Sequence, residues 1–130
     1  MTAPIELLLR PETFRIHRLP PGHQVDWARF AAASWYSLTR TEDELSIVAT
    51  DDVDPGEGEC EPGWACLQVA GLLDFALVGI LAAISQILAD AGISLFVVST
   101  YNTDYVFVKR ADVAAAVAAL TAAGHRITSV

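Results

Sequence analysis

A run of small polar residues, STYNTD, occupies positions 99–104 between the apolar segments ISLFVV and YVFVK. Its side chains supply four hydroxyls, an amide and a carboxylate, a set that can line a pocket and hydrogen-bond a small polar ligand. The same residue types favour tight turns, because their side chains hydrogen-bond the local backbone. The sequence therefore leaves two interpretations of this strand-to-strand crossing, a plain turn and one wall of a binding site.

A second candidate is the segment GLLDFALVGIL at 71–81, which contains two glycines. Gly79 stands where a predicted helix begins, and glycine there lets a ligand approach backbone N–H groups that have no partner within the helix. The helix dipole favours an anion, such as a carboxylate, at that end. In the alternative, Gly71 makes a turn, Gly79 allows close packing of the helix on the sheet, and Asp74 caps the helix.

No catalytic constellation is evident in the sequence. His17, His23 and His125 lack the spacing of zinc ligands, and neither cysteine has a histidine beside it in sequence. Nucleophile-elbow and P-loop strings are absent as well. We therefore expect no enzymatic activity, no metal site and no cofactor.

The two cysteines, Cys60 and Cys66, are separated by five residues, which is neither metal-site nor thioredoxin spacing. Cys66 alternates within a strand-like run and is predicted to be a small core residue. Cys60 lies in an acidic stretch and is predicted to be exposed. A disulfide between them is neither required nor excluded by the sequence.

Composition limits the class of partner. Of the 130 residues, 53% are hydrophobic and 18% are charged, which indicates a folded chain, and the formal net charge is −8. This charge argues against nucleic acid and anionic lipid and mildly favours zwitterionic or cationic small ligands. The chain starts without a basic, apolar leader, and no apolar run approaches the roughly 20 residues that span a bilayer. We expect a cytoplasmic protein without nucleic-acid or membrane partners.

The second half of the chain predicts the order βαββαβ. Four strands are indicated, at 64–70, 93–98, 105–109 and 125–129. The first helix carries an apolar stripe with a period of about 3.6 residues and ends at Gly92. The second begins at Asp112, a predicted side-chain N-cap, and ends at Gly124. This order favours an α+β fold of the ferredoxin-like type, with four antiparallel strands and two helices on one face.

The first half resembles a shortened copy of the second. Four strands are predicted there, at 5–10, 14–19, 34–40 and 45–50. Residues 38–48 overlie 98–108 without a gap at an offset of sixty, and a short helix is predicted near 25–31. We interpret the chain as a degenerate N-terminal copy, 1–56, packed side by side with a C-terminal domain, 57–130. Strand 5–10 is expected to fill the missing edge of the first copy, and the alternative is a chance match.

The acidic stretch DDVDPGEGECEPG at 51–63 contains six carboxylates, three glycines and two prolines. This composition predicts a solvated linker. A calcium loop is the functional alternative, but the alternating ligands of such a loop are missing.

The run GILAAISQILADAGISLFVVST at 79–100 resembles the ACT domain pattern, in which a glycine and two aliphatic residues open the first helix and AG-I-S opens the next strand. The following STYNTDYVFVK is similar to small two-copy ACT proteins and the arginine-sensing CASTOR proteins. The resemblance implies an ACT fold, ligand sensing rather than catalysis, and side-by-side pairing of sheets, with a homodimer as the expected assembly. It also implies a free amino acid as ligand, bound where the helix-opening loop of one copy meets a strand of its neighbour.

The resemblance implies ligand contacts from three segments of this chain. They are the helix-opening loop, the start of the next strand and the crossing, with the residues Leu73, Asp74, Val78, Gly79, Ile80, Ser94, Leu95, Thr100, Tyr101, Thr103 and Asp104. Backbone N–H groups around Gly79 would hold an α-carboxylate, and Asp104 would bind an ammonium or guanidinium group. Thr100 and Thr103 would add neutral hydrogen bonds, and Tyr101 would cover the aliphatic part.

Two alternatives stand beside this amino-acid sensor. The same surfaces can serve a pure pairing module that needs no ligand, and the downstream protein partner is unknown in either case. An RNA-binding domain of the same topology is disfavoured, because YVFV lacks the glycine and basic residues of an RNA-binding strand and the chain is acidic.

Overall fold

The structure is a computed structural model that describes residues 4–70 and 79–130. The chain divides into two compact units. The larger unit combines Met1–Pro11 with Ala65–Val130, and the smaller unit is Glu12–Trp64. The domains predicted from the sequence, 1–56 and 57–130, stay a prediction. Within the described residues, no helix has the length and apolar character needed to cross a membrane.

Eight strands and two α-helices are found in the described residues. The strands are β1 (Glu6–Leu9), β2 (Phe14–Leu19), β3 (Tyr36–Arg40), β4 (Leu45–Thr50), β5 (Glu59–Val69), β6 (Leu95–Ser99), β7 (Asp104–Lys109) and β8 (Arg126–Ser129). The α-helices are α1 (Ile80–Asp90) and α2 (Val113–Ala122), and two short 3-10 helices lie at Trp27–Phe30 and Arg110–Asp112.

The larger unit follows the order β5-α1-β6-β7-α2-β8, so the predicted βαββαβ arrangement and α+β class are confirmed. Its strands lie in the order β6–β7–β5–β1–β8. Leu7 of β1 stands opposite Val69 of antiparallel β5 and opposite Ile127 of parallel β8. The first strand therefore lies between the first and last strands of the βαββαβ unit. The expectation that it fills an edge of the N-terminal copy is wrong.

The core of the larger unit lies between its sheet and its two helices. Ile84 and Leu88 of α1 and Leu120 of α2 are buried. They stand at apolar positions with helical spacing, so they lie on the side of each helix that faces the strands. The predicted ends are confirmed, because Gly92 and Gly124 each follow the C-cap residue of a helix and turn the chain left-handed.

The expectation that Asp112 caps α2 with its side chain is wrong. The residue has helical backbone angles and its carboxylate forms no capping hydrogen bond, because the 3-10 turn Arg110–Asp112 leads directly into the helix. A side-chain cap needs the extended backbone of a residue that stands just outside the helix.

The smaller unit has the strand order β3–β4–β2–β5. The predicted short helix is the 3-10 turn Trp27–Phe30, whose first turn is capped by Asp26 through a 3.2 Å bond from the N–H of Ala28. Phe30 packs with buried apolar residues of β2 and β4 and with Val53, which follows β4. The strand residues are Leu19, Leu45, Ile47 and Ala49.

The predicted linker 51–63 is wrong over its last five residues, which form the first part of β5. Phe14 pairs with Trp64 and Ile16 with Glu61, so Pro62 and Gly63 together stand opposite one residue of β2. Proline has no N–H to donate to the neighbouring strand, and a β-bulge is a position where a strand tolerates it. The bulge also gives Gly63 a positive φ of 79°, which glycine adopts readily.

Candidate ligand site

The crossing between β6 and β7 is a hydrogen-bonded turn built by its own threonines. The N–H of Thr100 donates to the carbonyl of Thr103 at 2.9 Å, and the Thr100 hydroxyl donates to the same carbonyl at 3.2 Å. In return, the N–H of Thr103 donates to Thr100 Oγ1 at 3.4 Å. The Thr100 hydroxyl is thus engaged in shaping the turn.

Thr103 fixes this turn to the end of β5. Its side chain is buried, with 4% of the residue exposed, and its hydroxyl donates to the carbonyl of Val69 at 2.8 Å. A buried hydroxyl needs such a partner, because leaving it unsatisfied costs about 1–3 kcal/mol.

Asp104 and Tyr101 are the more accessible members of the predicted site. Asp104 begins β7 opposite Ser99, whose hydroxyl donates to the Asp104 carboxylate at 2.7 Å. Tyr101 lies at the tip of the turn with 83% of its surface exposed. The half-buried carboxylate and the exposed ring therefore lie at one end of the β6–β7 hairpin.

Gly79 precedes α1 with a left-handed backbone, φ 87°. Among residues 4–70 and 79–130, no atom lies within 4 Å of a Cβ added there, so close packing of the helix on the described sheet does not explain this glycine. Its left-handed backbone explains the glycine, because residues with a side chain rarely adopt this conformation. Ile80 follows and packs partly against the core. The other predicted residues of this loop, Leu73, Asp74 and Val78, lie outside the described residues, as does Gly71.

The start of α1 and the crossing lie at the same end of the larger unit. Helix α1 has 11 residues and runs about 16 Å, and β6 returns over a similar length after the short connection 91–94. The beginning of α1 is therefore brought back level with the end of β6, where the crossing starts.

Ser94 and Leu95 lie at the opposite end of β6. Leu95 stands opposite Val108, whereas Ser99 stands opposite Asp104, and four residues of strand separate the two pairs by about 13 Å. Within one chain, the structure brings Gly79 and the crossing to one end and leaves Ser94 and Leu95 at the other.

The same turn occurs in the smaller unit, between β3 and β4. The N–H of Thr41 donates to the carbonyl of Glu44 at 2.9 Å, and the N–H of Glu44 donates to Thr41 Oγ1 at 3.2 Å. Thr41 and Glu44 thus correspond to Thr100 and Thr103, at an offset of 59 residues rather than the predicted sixty. At this offset the buried Ile47 corresponds to the buried Val106. Duplication of the chain stays a prediction.

The sequence interpretation missed a cleft of about 490 Å³ in the smaller unit. It is lined by Ile16, His17, Arg18, Glu44, Ser46, Glu59, Cys60 and Glu61. Burial, and secondarily the charge of Arg15, lower the pKa of His17 from its ordinary value. The alternation of FRIHRL placed His17 on a strand, but sequence alone does not show which strand faces it.

The chain is similar to one protein family and to several solved structures. Residues 59–122 match a family model described as an ACT domain. The X-ray structure of a protein from Agobacterium tumefaciens is 32% identical with a TM-score of 0.89, and the match covers 99% of this chain and 96% of that one. No curated protein matches the chain.

Two more distant structures show the fold alone. A Vibrio cholerae protein described as a possible transport protein is 19% identical with a TM-score of 0.70, over 91% of this chain and 88% of that chain. The ligand-free regulatory subunit of aspartate kinase from Thermus thermophilus is 14% identical with a TM-score of 0.63, over 87% and 93%.

Proposed function

The chain belongs to the ACT domain family, and we propose that it is a regulatory, non-catalytic protein that binds a free amino acid where two copies meet. The observation that carries this proposal is the placement of Gly79 and Asp104 at one end of the larger unit. The first can offer main-chain donors at a helix start, and the second offers a carboxylate.

The helix start suits the α-carboxylate of an amino acid. The first N–H groups of α1 have no acceptor within the helix, and the aligned peptide dipoles favour a negative group there. Gly79 is exposed, and no side chain of the described part of the chain lies within 4 Å of the position a Cβ would take. An oxygen of the ligand can therefore approach the backbone closely.

Asp104 suits the positive group of the ligand. Its carboxylate is half-buried and is held by the 2.7 Å bond from Ser99, so an ammonium or guanidinium would meet a positioned acceptor. Tyr101 can cover the aliphatic part. Thr100 and Thr103 enter this proposal by shaping the turn, since their hydroxyls are already engaged.

A second copy would bring Ser94 and Leu95 to the site. Among the described residues β6 pairs with β7 alone, so it offers an edge to another strand. If two copies of β6 pair antiparallel about a two-fold axis at Val97, Leu95 of the second copy stands opposite Ser99 of the first. The homodimer then joins the two halves of the predicted contact set, which a single chain keeps about 13 Å apart.

The proposal is tested by a thermal-shift screen against the standard amino acids, read together with sedimentation. A ligand at a hundred times its dissociation constant adds about 2.7 kcal/mol, which raises the midpoint by roughly ten degrees for a chain of this size. We expect a shift for one or a few amino acids that is lost in Asp104→Asn. Asp90→Asn is the matched control, because Asp90 is an exposed carboxylate that bonds Gln86 at the far end of α1.

A pairing module without ligand is the second candidate function. It is favoured because the protein itself already engages both threonine hydroxyls and one oxygen of Asp104: Thr100 within the turn, Asp104 through Ser99, and Thr103 through the Val69 carbonyl of β5. A dimer whose melting temperature responds to none of the amino acids would support it. A selective response to arginine would instead support the predicted relation to the arginine-sensing CASTOR proteins.

A further inference from the structure

Strand β3 is an open edge of the smaller unit. Among the described residues, Tyr36–Arg40 pairs with β4 alone. The strand has no proline and its register with β4 shows no bulge, and these are two of the devices by which natural sheets protect an edge. The edge is therefore available to pair with a further strand.

The backbone groups that face this edge follow from the strand register. The N–H of Thr41, just after β3, donates to the carbonyl of Glu44 at 2.9 Å, which closes the hairpin. Hydrogen-bonded pairs recur at every second residue of an antiparallel ladder, so Ser37 and Thr39 also direct their backbone groups toward β4. Three residues of β3 therefore direct their N–H and carbonyl groups outward, namely Tyr36, Leu38 and Arg40.

Two exposed aromatic rings lie near the start of this edge. Trp27 is 61% exposed and Tyr36 is 42% exposed. Both pack on the buried ring of Phe30, with ring centroids 6.0 Å and 4.9 Å from its own. Tryptophan and tyrosine are enriched among the residues that carry the binding energy of protein interfaces. The indole of Trp27 can also attract a cation that approaches its face.

The charge of the smaller unit indicates the kind of strand that this edge suits. The unit has eleven acidic and four basic side chains, so −7 of the net charge of −8 lies there. The one charged side chain of β3 is Arg40, which donates to the carbonyls of Pro21 and His23, and three carboxylates follow at 42–44. A basic strand is attracted to this unit, whereas a second copy of it is repelled.

We propose that β3 binds an extended, basic segment of a partner protein by strand addition. The backbone of the segment pairs with the outward N–H and carbonyl groups of Tyr36, Leu38 and Arg40. Every second side chain of the segment lies on the same face as Tyr36, where an aliphatic or lysine side chain can contact the exposed rings. The homodimer proposed above uses β6 instead, so neither proposal depends on the other.

The first experiment titrates the full chain with a seven-residue peptide of alternating lysine and valine, acetylated and amidated at its ends. Hydrogen exchange of each β3 amide is followed by NMR. The outward amides of Tyr36, Leu38 and Arg40 should exchange at least about fivefold more slowly in the complex. The amides of Ser37 and Thr39, already bonded to β4, should change little. A peptide that does not bind, or that binds without protecting the three outward amides, would overturn the proposal.

The charge of the peptide is tested with a second peptide of alternating glutamate and valine. It should bind at least about tenfold more weakly than the lysine peptide at low salt, and the difference should shrink near 1 M salt. Equal affinities of the two peptides at low salt would contradict the preference for a basic segment.

Two variants test the surface itself, each compared at equal folded fraction by circular dichroism. Thr39→Lys places a cation on exposed β3, and Trp27→Ala removes the exposed indole, so each should weaken the lysine peptide at least about fivefold. Thr121→Lys is the matched control, because it makes the same change at an exposed position of α2 and should leave the affinity unchanged. An affinity that stays the same in both Thr39→Lys and Trp27→Ala would show that the peptide binds elsewhere.

Sedimentation of the full chain without peptide tests a second copy as the occupant. Self-association that is lost in Thr39→Lys but kept in Thr121→Lys, together with no binding of the lysine peptide, would make β3 an interface between copies. That result would replace the proposed basic partner.

Discussion

The Nδ1 atom of His125 accepts a hydrogen bond from the backbone N–H of Ile5 at 3.0 Å, across 120 residues of sequence. The next residue, Arg126, returns a bond from its own N–H to the carbonyl of Ile5 at 2.9 Å. Both bonds lie at the start of β1, the strand between β5 and β8. The imidazole must be unprotonated at Nδ1 to accept this bond, so it carries its hydrogen on Nε2.

His125→Ala should destabilise the larger unit by about 1–3 kcal/mol. The substitution leaves the buried N–H of Ile5 without an acceptor, and the cost of an unsatisfied buried donor is of that order. The free energy of unfolding from urea titration measures the loss, and hydrogen exchange should show β1 amides exchanging faster. His125→Asn is the matched variant, since its Oδ1 can replace Nδ1 as acceptor. A urea midpoint for His125→Ala equal to that of the native chain would refute this role.

His17 should make stability depend on pH. Its folded pKa lies below the ordinary value, so the unfolded chain binds more protons between the two values. The contribution of His17 to the free energy of unfolding is therefore fully present above about pH 6.5. It is lost as the pH falls from there through the lower pKa of the folded state. His17→Leu should flatten the urea midpoint between pH 8 and pH 5 relative to the native chain. An unchanged slope in the variant would show that other groups carry the acid sensitivity.

Three glycine-to-alanine variants separate conformational strain from steric overlap. Gly79→Ala should cost about 1–2 kcal/mol through its left-handed backbone, since no atom of the described residues would overlap the added Cβ. Gly58→Ala should cost at least about 1–3 kcal/mol, because its Cβ would overlap the carbonyl oxygen of Arg18. Gly22→Ala, with open space and no positive φ, should stay within about 0.5 kcal/mol. The free energy of unfolding of all three variants is measured by chemical denaturation. A loss in Gly22→Ala as large as in the other two would contradict this explanation.

The sequence predicted the larger unit well because its periodic signals are strong. The apolar stripe of α1 and the glycine after each helix specify their own elements locally. The place of β1 was missed because strand pairing is decided by distant partners, here β5 and β8. The bulge at Pro62 and Gly63 was read as a linker, since both residues disfavour a regular strand and only pairing with β2 reveals the exception.

The offset between the two hairpins was missed for a different reason. Strand β7 has apolar residues on both faces. When the two hairpin sequences are aligned one residue out of register, apolar residues therefore still match apolar residues. The hydrogen bonds of Thr41 and Thr100 fix the correspondence that the residue types leave open. The same bonds show that composition alone overstated the hydroxyls available to a ligand at the crossing.

Thr103→Val and Asp104→Asn should separate the turn from the proposed ligand site. Thr103→Val keeps the shape of the side chain but removes the donor to the Val69 carbonyl, so it should lower the free energy of unfolding by about 1–3 kcal/mol. Asp104→Asn keeps an acceptor for Ser99 and should change stability by less than about 1 kcal/mol, while it removes the charge that holds a cationic ligand group.

Urea denaturation and the amino-acid thermal shift, measured on both variants, give two independent readouts of this pair. We expect Thr103→Val to lose stability and to retain a ligand-induced shift, whereas Asp104→Asn keeps its stability and loses the shift. If instead the ligand response survives in Asp104→Asn at full size, the cationic group is bound elsewhere. If the response disappears only in Thr103→Val, the turn acts by positioning the pocket and the Asp104 carboxylate does not contact the ligand.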